Sequence, residues 1–179
     1  MKIAIHICCA NCGTVVVERL KDRFDLTLFW YNPNIQPKRE YKKRLVDVKR
    51  LAKIYSIPLI IGNYEVKKWF NMIRGFEKEP EGGKRCLICF KMRLEETVKY
   101  AQKNNFDYFT TTLTVGPQKN AKVINEIGKE IAQKYNLNFY EADFKKKDGF
   151  KRSVELSKKY NFYRQNYCGC IFSLPKNRI

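Results

Sequence analysis

The sequence lacks long apolar runs: no stretch approaches the 18 or more apolar residues that a membrane-spanning helix needs. It starts Met-Lys-Ile-Ala-Ile-His and reaches Cys8 without the charged start, apolar stretch and cleavage site of a secretory signal. These absences argue against membrane insertion and export, and they predict a cytoplasmic protein. In a reducing compartment, clustered cysteines more often bind metal or do chemistry than form disulfides.

Nucleotide-binding motifs are also missing. No G-x-G-x-x-G follows a predicted strand, and the loop Gly82-Gly83-Lys84-Arg85 does not follow the P-loop pattern. The sequence therefore gives no support for a bound dinucleotide. Histidine is scarce as well: His6 is the only one, and its place on a predicted central strand favours a hydrogen-bonded core residue over a metal ligand.

The cysteines of this sequence are clustered. Seven cysteines occur in three tight groups, Cys8-Cys9-x-x-Cys12, Cys86-x-x-Cys89 and Cys168-Gly169-Cys170. This spacing leaves three interpretations: a disulfide framework, a structural zinc site, and an iron–sulfur or mixed-iron redox centre. The odd number of thiols and the reducing compartment argue against disulfides. Four thiolates would complete either a tetrahedral zinc site or a [4Fe–4S] cluster, and the three remaining thiols suggest a second metal position.

A large excess of positive charge indicates a polyanionic partner. Lys and Arg number 36 against 18 Asp and Glu, which gives a formal net charge of +18, and nucleic acid is the leading candidate. Two basic segments are the predicted contacts: Lys38, Arg39, Lys42 and Lys43, and Lys145, Lys146, Lys147, Lys151 and Arg152. Four aromatic residues are candidates for stacking on an exposed base: Tyr31, Tyr163, Tyr167 and Phe172.

The order of apolar patterns predicts an α/β fold. Strands are expected over 2–7, 26–31, 57–61, 106–113 and 138–142, with helices over 13–21, 37–55, 65–74, 86–103, 120–135 and 150–160. This alternation predicts a parallel, three-layer sheet, and the length predicts one domain over 1–179 with an irregular cysteine-bearing tail. Sites in such folds form at the carboxyl ends of the strands, where Cys8, Thr110–Thr112 and Asp143 are expected.

Five ordered motifs resemble the QueH family of cobalamin-independent epoxyqueuosine reductases, over nearly the whole chain. They are His6-Ile7-Cys8-Cys9-Ala10-Asn11-Cys12, Gly83-Lys84-Arg85-Cys86-Leu87-Ile88-Cys89, Phe109-Thr110-Thr111-Thr112-Leu113, Asp143-Phe144-Lys145-Lys146-Lys147-Asp148-Gly149 and Tyr163-Arg164-Gln165-Asn166-Tyr167-Cys168-Gly169-Cys170. One departure is visible, because the family usually reads Cys-Cys-Ala-Pro-Cys and Asn11 replaces the proline here.

The resemblance implies a fold related to the HUP α/β domains, a [4Fe–4S] cluster and an additional mononuclear iron. It implies reduction of the epoxide of epoxyqueuosine in a tRNA anticodon loop to queuosine, with an external electron donor, and we expect a monomer. The metal ligands are then drawn from Cys8, Cys9, Cys12, Cys86, Cys89, Cys168 and Cys170. We expect Cys86 and Cys89 to bind the cluster, while the sequence alone does not divide the other thiols between the two sites.

Proton donors are expected within the same motifs, where Asp143, Asp148, Tyr163 and Tyr167 lie, and the catalytic candidates are Asp143, Tyr163 and Tyr167. Asp143 is the preferred acid or iron ligand because it follows a strand at the predicted active edge, although a capping or ion-pair role fits it as well. The alternative function is a zinc-stabilised RNA-binding module without catalysis.

Overall fold

The computed structural model describes residues 1–174, which contain one five-stranded parallel sheet in the order β3-β2-β1-β4-β5. The strands are β1 (Lys2–His6), β2 (Asp25–Trp30), β3 (Leu59–Ile61), β4 (Tyr108–Thr111) and β5 (Asn138–Phe139). Strand β1 lies at the centre, where His6 aligns with Phe29 of β2 and Thr111 of β4. The predicted parallel α/β architecture is therefore confirmed.

In the described part of the chain, six α-helices surround this sheet. They are α1 (Ala10–Leu20), α2 (Lys38–Ile54), α3 (Val66–Met72), α4 (Lys84–Lys103), α5 (Ala121–Tyr135) and α6 (Gly149–Lys159). Side chains alternate along β1, so Ile3, Ile5 and Ile7 pack with α1 and α2 while Ala4 packs with α4 and α5. The result is three layers, with the apolar core divided by the sheet.

Two predicted boundaries differ from the structure close to the cysteines. The first helix begins at Ala10 instead of residue 13, so Cys12 belongs to its first turn. Strand β4 ends at Thr111, and Thr112–Val115 form a 3-10 helix where the β-branched composition predicted more strand. The cause is local, because the Thr111 hydroxyl accepts the backbone N–H of Leu113 at 3.1 Å and turns the chain.

Close packing brings α1 onto the end of β1. A Cβ at Gly13 would lie 2.8 Å from Leu51 Cδ2 and would also collide with Ile7. Only glycine allows this approach, which keeps Cys12 beside Cys8 and Cys9. In residues 1–174, no helix is long and apolar enough to cross a membrane.

Candidate metal centre and substrate cavity

The first group of thiols lies where β1 ends. Cys8 donates its backbone N–H to the Thr112 hydroxyl at 3.4 Å, and its Sγ is 3.7 Å from the same oxygen. Hydrogen bonds from the thiols of Cys12 and Cys9 lower the pKa of Cys8 well below its ordinary value. These three cysteines are therefore neighbours, anchored to the segment that follows β4.

The second pair of cysteines lies at the start of α4, as predicted. Cys86 and Cys89 are three residues apart on one helix face, and both are buried. The Cys86 sulfur accepts the backbone N–H of Gly82 at 3.2 Å. Burial raises the pKa of the Cys89 thiol, and the charges of Arg93 and Cys168 also act on it.

The tail folds back onto this edge of the sheet and adds the last two cysteines. The Arg44 guanidinium donates to the carbonyl oxygens of Cys168 at 3.0 Å and Tyr167 at 3.1 Å. Gln36 donates its backbone N–H to the Gly169 carbonyl at 2.8 Å. Gly169 has φ +109°, and a Cβ there would lie 3.0 Å from Arg44 Nη1, so the turn between the two cysteines requires glycine.

We divide the seven thiols into two groups, although Cys8 packs against the apolar cluster that contains Cys86. Cys8, Cys9 and Cys12 make up the N-terminal group, and we call the other four, Cys86, Cys89, Cys168 and Cys170, the four-thiol group. Cys89, Cys168 and Cys170 share one apolar cluster, and the charge of Cys86 acts on Cys89. All seven cysteines are free thiols.

The thiols are not gathered around a single ion. Among residues 1–174, no three or more Cys, His, Asp or Glu side chains form a group that could hold a metal ion. The seven free thiols supply the sulfur donors that either a [4Fe–4S] cluster or a zinc site uses.

A buried arginine supports an anionic occupant. Arg93 is 2% exposed; its Nε donates to the Cys89 carbonyl at 3.3 Å, and its Nη2 has no hydrogen-bond partner among the described residues. Burial opposes the charge of Arg93, but four thiols, led by Cys89 and Cys8, outweigh burial and raise the pKa of the guanidinium. A buried cation needs a compensating charge, which thiolate-ligated iron would supply.

Both thiol groups border one cavity of about 300 Å³. Cys8, Cys12 and Cys168 line it together with Arg93. Lys119 lines another part of the wall, where its ammonium pairs with Glu81 at 3.0 Å. The cavity therefore offers a small substrate a position next to thiols from both groups and between two fixed positive charges.

Two of the predicted proton donors lie outside this cavity. Asp143 lines a separate concavity with Arg19 and Lys146, and its Oδ1 accepts the backbone N–H of Lys145 at 3.3 Å. Tyr163 donates its hydroxyl to Glu40 at 3.1 Å, and it lines another shallow surface site. The geometry favours turn closure for Asp143 and tail anchoring for Tyr163 over proton transfer.

Tyr167 is the one predicted donor that lines the thiol cavity. Its hydroxyl donates to the Gln36 carbonyl at 2.5 Å, and burial raises its pKa to about 12.

Tyr31, a candidate for base stacking, is buried and donates to Glu65 at 2.6 Å, so no base can stack on it. His6 is a core residue as predicted, because its ring bonds Thr111 at 3.0 Å.

The two basic segments differ in how their side chains are used. Lys38, Arg39, Lys42 and Lys43 are all exposed in the first half of α2. In the second segment, Lys145 donates to the Lys119 carbonyl, and Arg152 forms ion pairs with Glu18 and Glu155. Lys146, Lys147 and Lys151 remain exposed there.

Comparison with known proteins identifies the family. The family model described as epoxyqueuosine reductase QueH matches residues 3–176. The chain belongs to the QueH family. Its sequence is 40% identical to epoxyqueuosine reductase QueH of Staphylococcus epidermidis over 99% of this chain and 78% of that protein. It is 39% identical to the Thermotoga maritima protein of the same name, over 98% of this chain and 92% of the relative.

A solved structure supports the fold of this QueH chain. The U34-tRNA thiolase NcsA from Methanococcus maripaludis, solved with its [4Fe–4S] cluster, matches with a TM-score of 0.60 at 11% identity. The match covers 98% of this chain and 62% of that one, so this chain spans less than two thirds of NcsA. At this identity the likeness concerns the fold, and it agrees with the HUP-like architecture that the resemblance implied.

Asn11, the departure from the usual QueH proline, has a structural use that the sequence did not indicate. Its Nδ2 donates to the Tyr163 carbonyl at 2.9 Å and to Gln165 Oε1 at 3.1 Å. The amide therefore fastens the tail to the first turn of α1, between Cys9 and Cys12.

The sequence analysis did not identify Arg44 or Arg93 as residues of the site. The available signal for Arg93 was its spacing, because it follows Cys89 by four residues on one helix face.

Replacing Asn11 with alanine is expected to loosen the tail. The change removes two hydrogen bonds, each worth about 1 kcal/mol, so amide exchange over 163–168 should become roughly 10–30 times faster. Hydrogen exchange read by mass spectrometry measures this, and Asn104→Ala on the far end of α4 is the matched control. Unchanged exchange over 163–168 would show that the other anchors hold the tail without Asn11.

Proposed function

We propose that this protein reduces the epoxide of epoxyqueuosine in a tRNA anticodon loop to the alkene of queuosine. The observation that carries the proposal is the cavity bordered by both thiol groups and by buried Arg93, in a member of the QueH family. The reaction consumes two electrons and two protons, and the epoxide oxygen leaves as water. The site and the charge of +18 suit a redox step on a polyanionic substrate.

The four-thiol group would hold a [4Fe–4S] cluster, and the N-terminal group would contribute ligands to the second iron. The apolar cluster that Cys89, Cys168 and Cys170 share supports this division. When bound, the cluster would supply electrons one at a time and the iron would supply Lewis acidity. The division goes beyond the sequence, which left five of the seven thiols unassigned.

The protein side chains hold the substrate and balance charge. Lys119 places an ammonium at the cavity wall, where it can stabilise negative charge that develops on the departing oxygen. Arg93 places a second positive charge near the thiols of both groups. The Tyr167 hydroxyl is already donated to Gln36, so its ring serves as a wall of the cavity and not as the first proton donor.

Metal content and product analysis together test this function. Protein purified without oxygen is expected to be coloured, to contain iron and sulfide, and to convert epoxyqueuosine to queuosine in tRNA when reduced by dithionite. Nucleoside mass spectrometry of digested tRNA reads the conversion. A colourless protein with stoichiometric zinc and no conversion would instead support the zinc-stabilised RNA-binding module, because zinc has no redox chemistry.

Binding of tRNA is expected to depend strongly on salt through the exposed face of α2. Changing Lys38 and Lys42 to glutamate should weaken tRNA binding and reduce the slope of log K against log salt by about 0.7–0.9 for each lost phosphate contact. Filter binding from low to moderate salt measures the slope. The matched control is the double variant Lys21→Glu with Lys103→Glu. If the slope falls equally in both double variants, the net positive charge of the protein attracts the tRNA without a specific contact at α2.

The electron donor, the oligomeric state and the location of the protein are also proposals. We propose an external electron donor, because the reaction consumes two electrons that the chain itself does not regenerate. We also propose that the protein acts as a monomer in the cytoplasm, which sedimentation and fractionation would test.

A further inference from the structure

An exposed aromatic patch lies next to the four-thiol group, outside the substrate cavity. We define it by Phe70, Ile171 and Phe172, whose exposed fractions are 37%, 42% and 39%. The rings of Phe70 and Phe172 are 6.3 Å apart, and both contact the buried ring of Trp69. Of the described residues that line the cavity, none belongs to this patch.

One layer of side chains separates this patch from the thiols. Trp69 shares an apolar cluster with Cys89 and Cys170, and Ile171 follows Cys170 directly in the chain. Phe172 therefore lies two residues from a thiol of the four-thiol group. Electrons that arrive at the patch would have a short route to that group, on a surface that the substrate does not occupy.

Positive charges border the patch. Lys67 precedes Phe70 by three residues in α3, so the two side chains share one helix face. The guanidinium carbon of the buried Arg85 lies 5.2 Å from the centroid of the Phe172 ring, and Lys84, which precedes it, is exposed. An apolar centre with a charged rim is the usual composition of a protein interface, and this rim favours an acidic partner.

We propose that the aromatic patch docks a small acidic protein that carries one electron at a time and passes it to the four-thiol group. The proposal rests on the proposed function, in which each epoxide consumes two electrons. Two carrier molecules are each oxidised by one electron, two protons come from solvent, and water is released with the alkene. Electron-transfer encounters use small, transient interfaces, which matches the size of three exposed side chains.

Two acidic carriers, a reduced plant-type ferredoxin and a reduced flavodoxin, are the probes. Lys67→Glu and Phe70→Glu are the test variants, and Ile54→Glu, at a residue 44% exposed on α2, is the matched control. Biolayer interferometry at low salt measures carrier binding without any substrate. Stopped-flow mixing follows bleaching of the visible absorption, and epoxide reduction is compared with carrier or with dithionite as the reductant.

The wild-type protein and Ile54→Glu are expected to bind at least one carrier, and both test variants should bind it about 10-fold more weakly. Bleaching and epoxide reduction driven by the carrier should slow by a similar factor, while rates with dithionite and the affinity for tRNA stay unchanged. If the test variants weaken carrier binding in this way but no epoxide is reduced, the docking surface is established and the proposed reaction is wrong.

Three results would overturn the docking proposal. In the first, the wild-type protein binds neither carrier. In the second, the test variants bind the carrier as tightly as the wild type does. In the third, Phe70→Glu weakens tRNA binding, which would make the patch a surface on which bases stack.

Discussion

Replacing Cys89 with serine is expected to remove most of the iron, sulfide and visible absorption together and to lower turnover at least about 100-fold. Loss of a supporting hydrogen bond around a metal already costs 10–100-fold in affinity or activity, and the proposed loss of a direct ligand is more severe. Cys89 is buried beside Cys168 and Arg93, and the oxygen of serine is a poorer ligand for iron of this kind. Iron and sulfide analysis with visible spectroscopy gives the result.

The comparison variant is Cys9→Ser in the N-terminal group. It is expected to keep the sulfide and the visible absorption while losing turnover, because the proposed cluster uses the other four thiols. Circular dichroism of both variants checks that the fold is retained. If Cys9→Ser loses the chromophore and Cys89→Ser keeps it, the proposed division of thiols is reversed.

Replacing Arg93 with leucine is expected to change stability in opposite directions with and without the cluster. In the loaded protein the change leaves a buried anion uncompensated, which costs about 3–5 kcal/mol and lowers Tm by at least roughly 6 °C. After the cluster is removed, Arg93 is a buried cation that lacks a full set of hydrogen-bond partners. The same change then replaces this cation by an apolar side chain. That exchange is expected to be neutral or stabilising.

Thermal unfolding of both forms, read by circular dichroism, tests the change in sign. Arg93→Lys keeps the charge and should lose much less stability in the loaded protein. The reduction potential of the cluster should also fall in Arg93→Leu, because a nearby cation favours the more negative, reduced state. Equal destabilisation of the loaded and unloaded forms would show that Arg93 acts through packing and not through the charge of an occupant.

The sequence predicted the sheet and the meeting of the cysteine groups well, because both follow from patterns along the chain. Isoleucines in β1 and the apolar stripe of α4 mark their elements, and the carboxyl end of a central strand marks the site. The segment after β4 was wrongly predicted as strand. There, a hydrogen bond that the Thr111 hydroxyl accepts from the Leu113 backbone N–H overrides the strand preference of β-branched residues.

Asp143 lies outside the thiol cavity for a different reason. The sequence does not give the strand order, and β5 is an edge strand with β4 between it and β1. Buried Arg44 and Arg93 were missed because charged residues on a helix are ordinarily assigned to its exposed face. Their burial depends largely on partners far away in the sequence, such as Cys168 for Arg44 and Asn32 for Arg93.

The amide of Asn11 and its partner Tyr163 are separated by 152 residues. During synthesis, the N-terminal group of thiols therefore leaves the ribosome long before Cys168 and Cys170, and the four-thiol group is incomplete until the tail has been made. Chains emerge at roughly 5–20 residues per second, so this interval lasts seconds. The proposed cluster would consequently be loaded late, after translation of the tail, and a chain stalled before Cys168 would lack two of the proposed ligands.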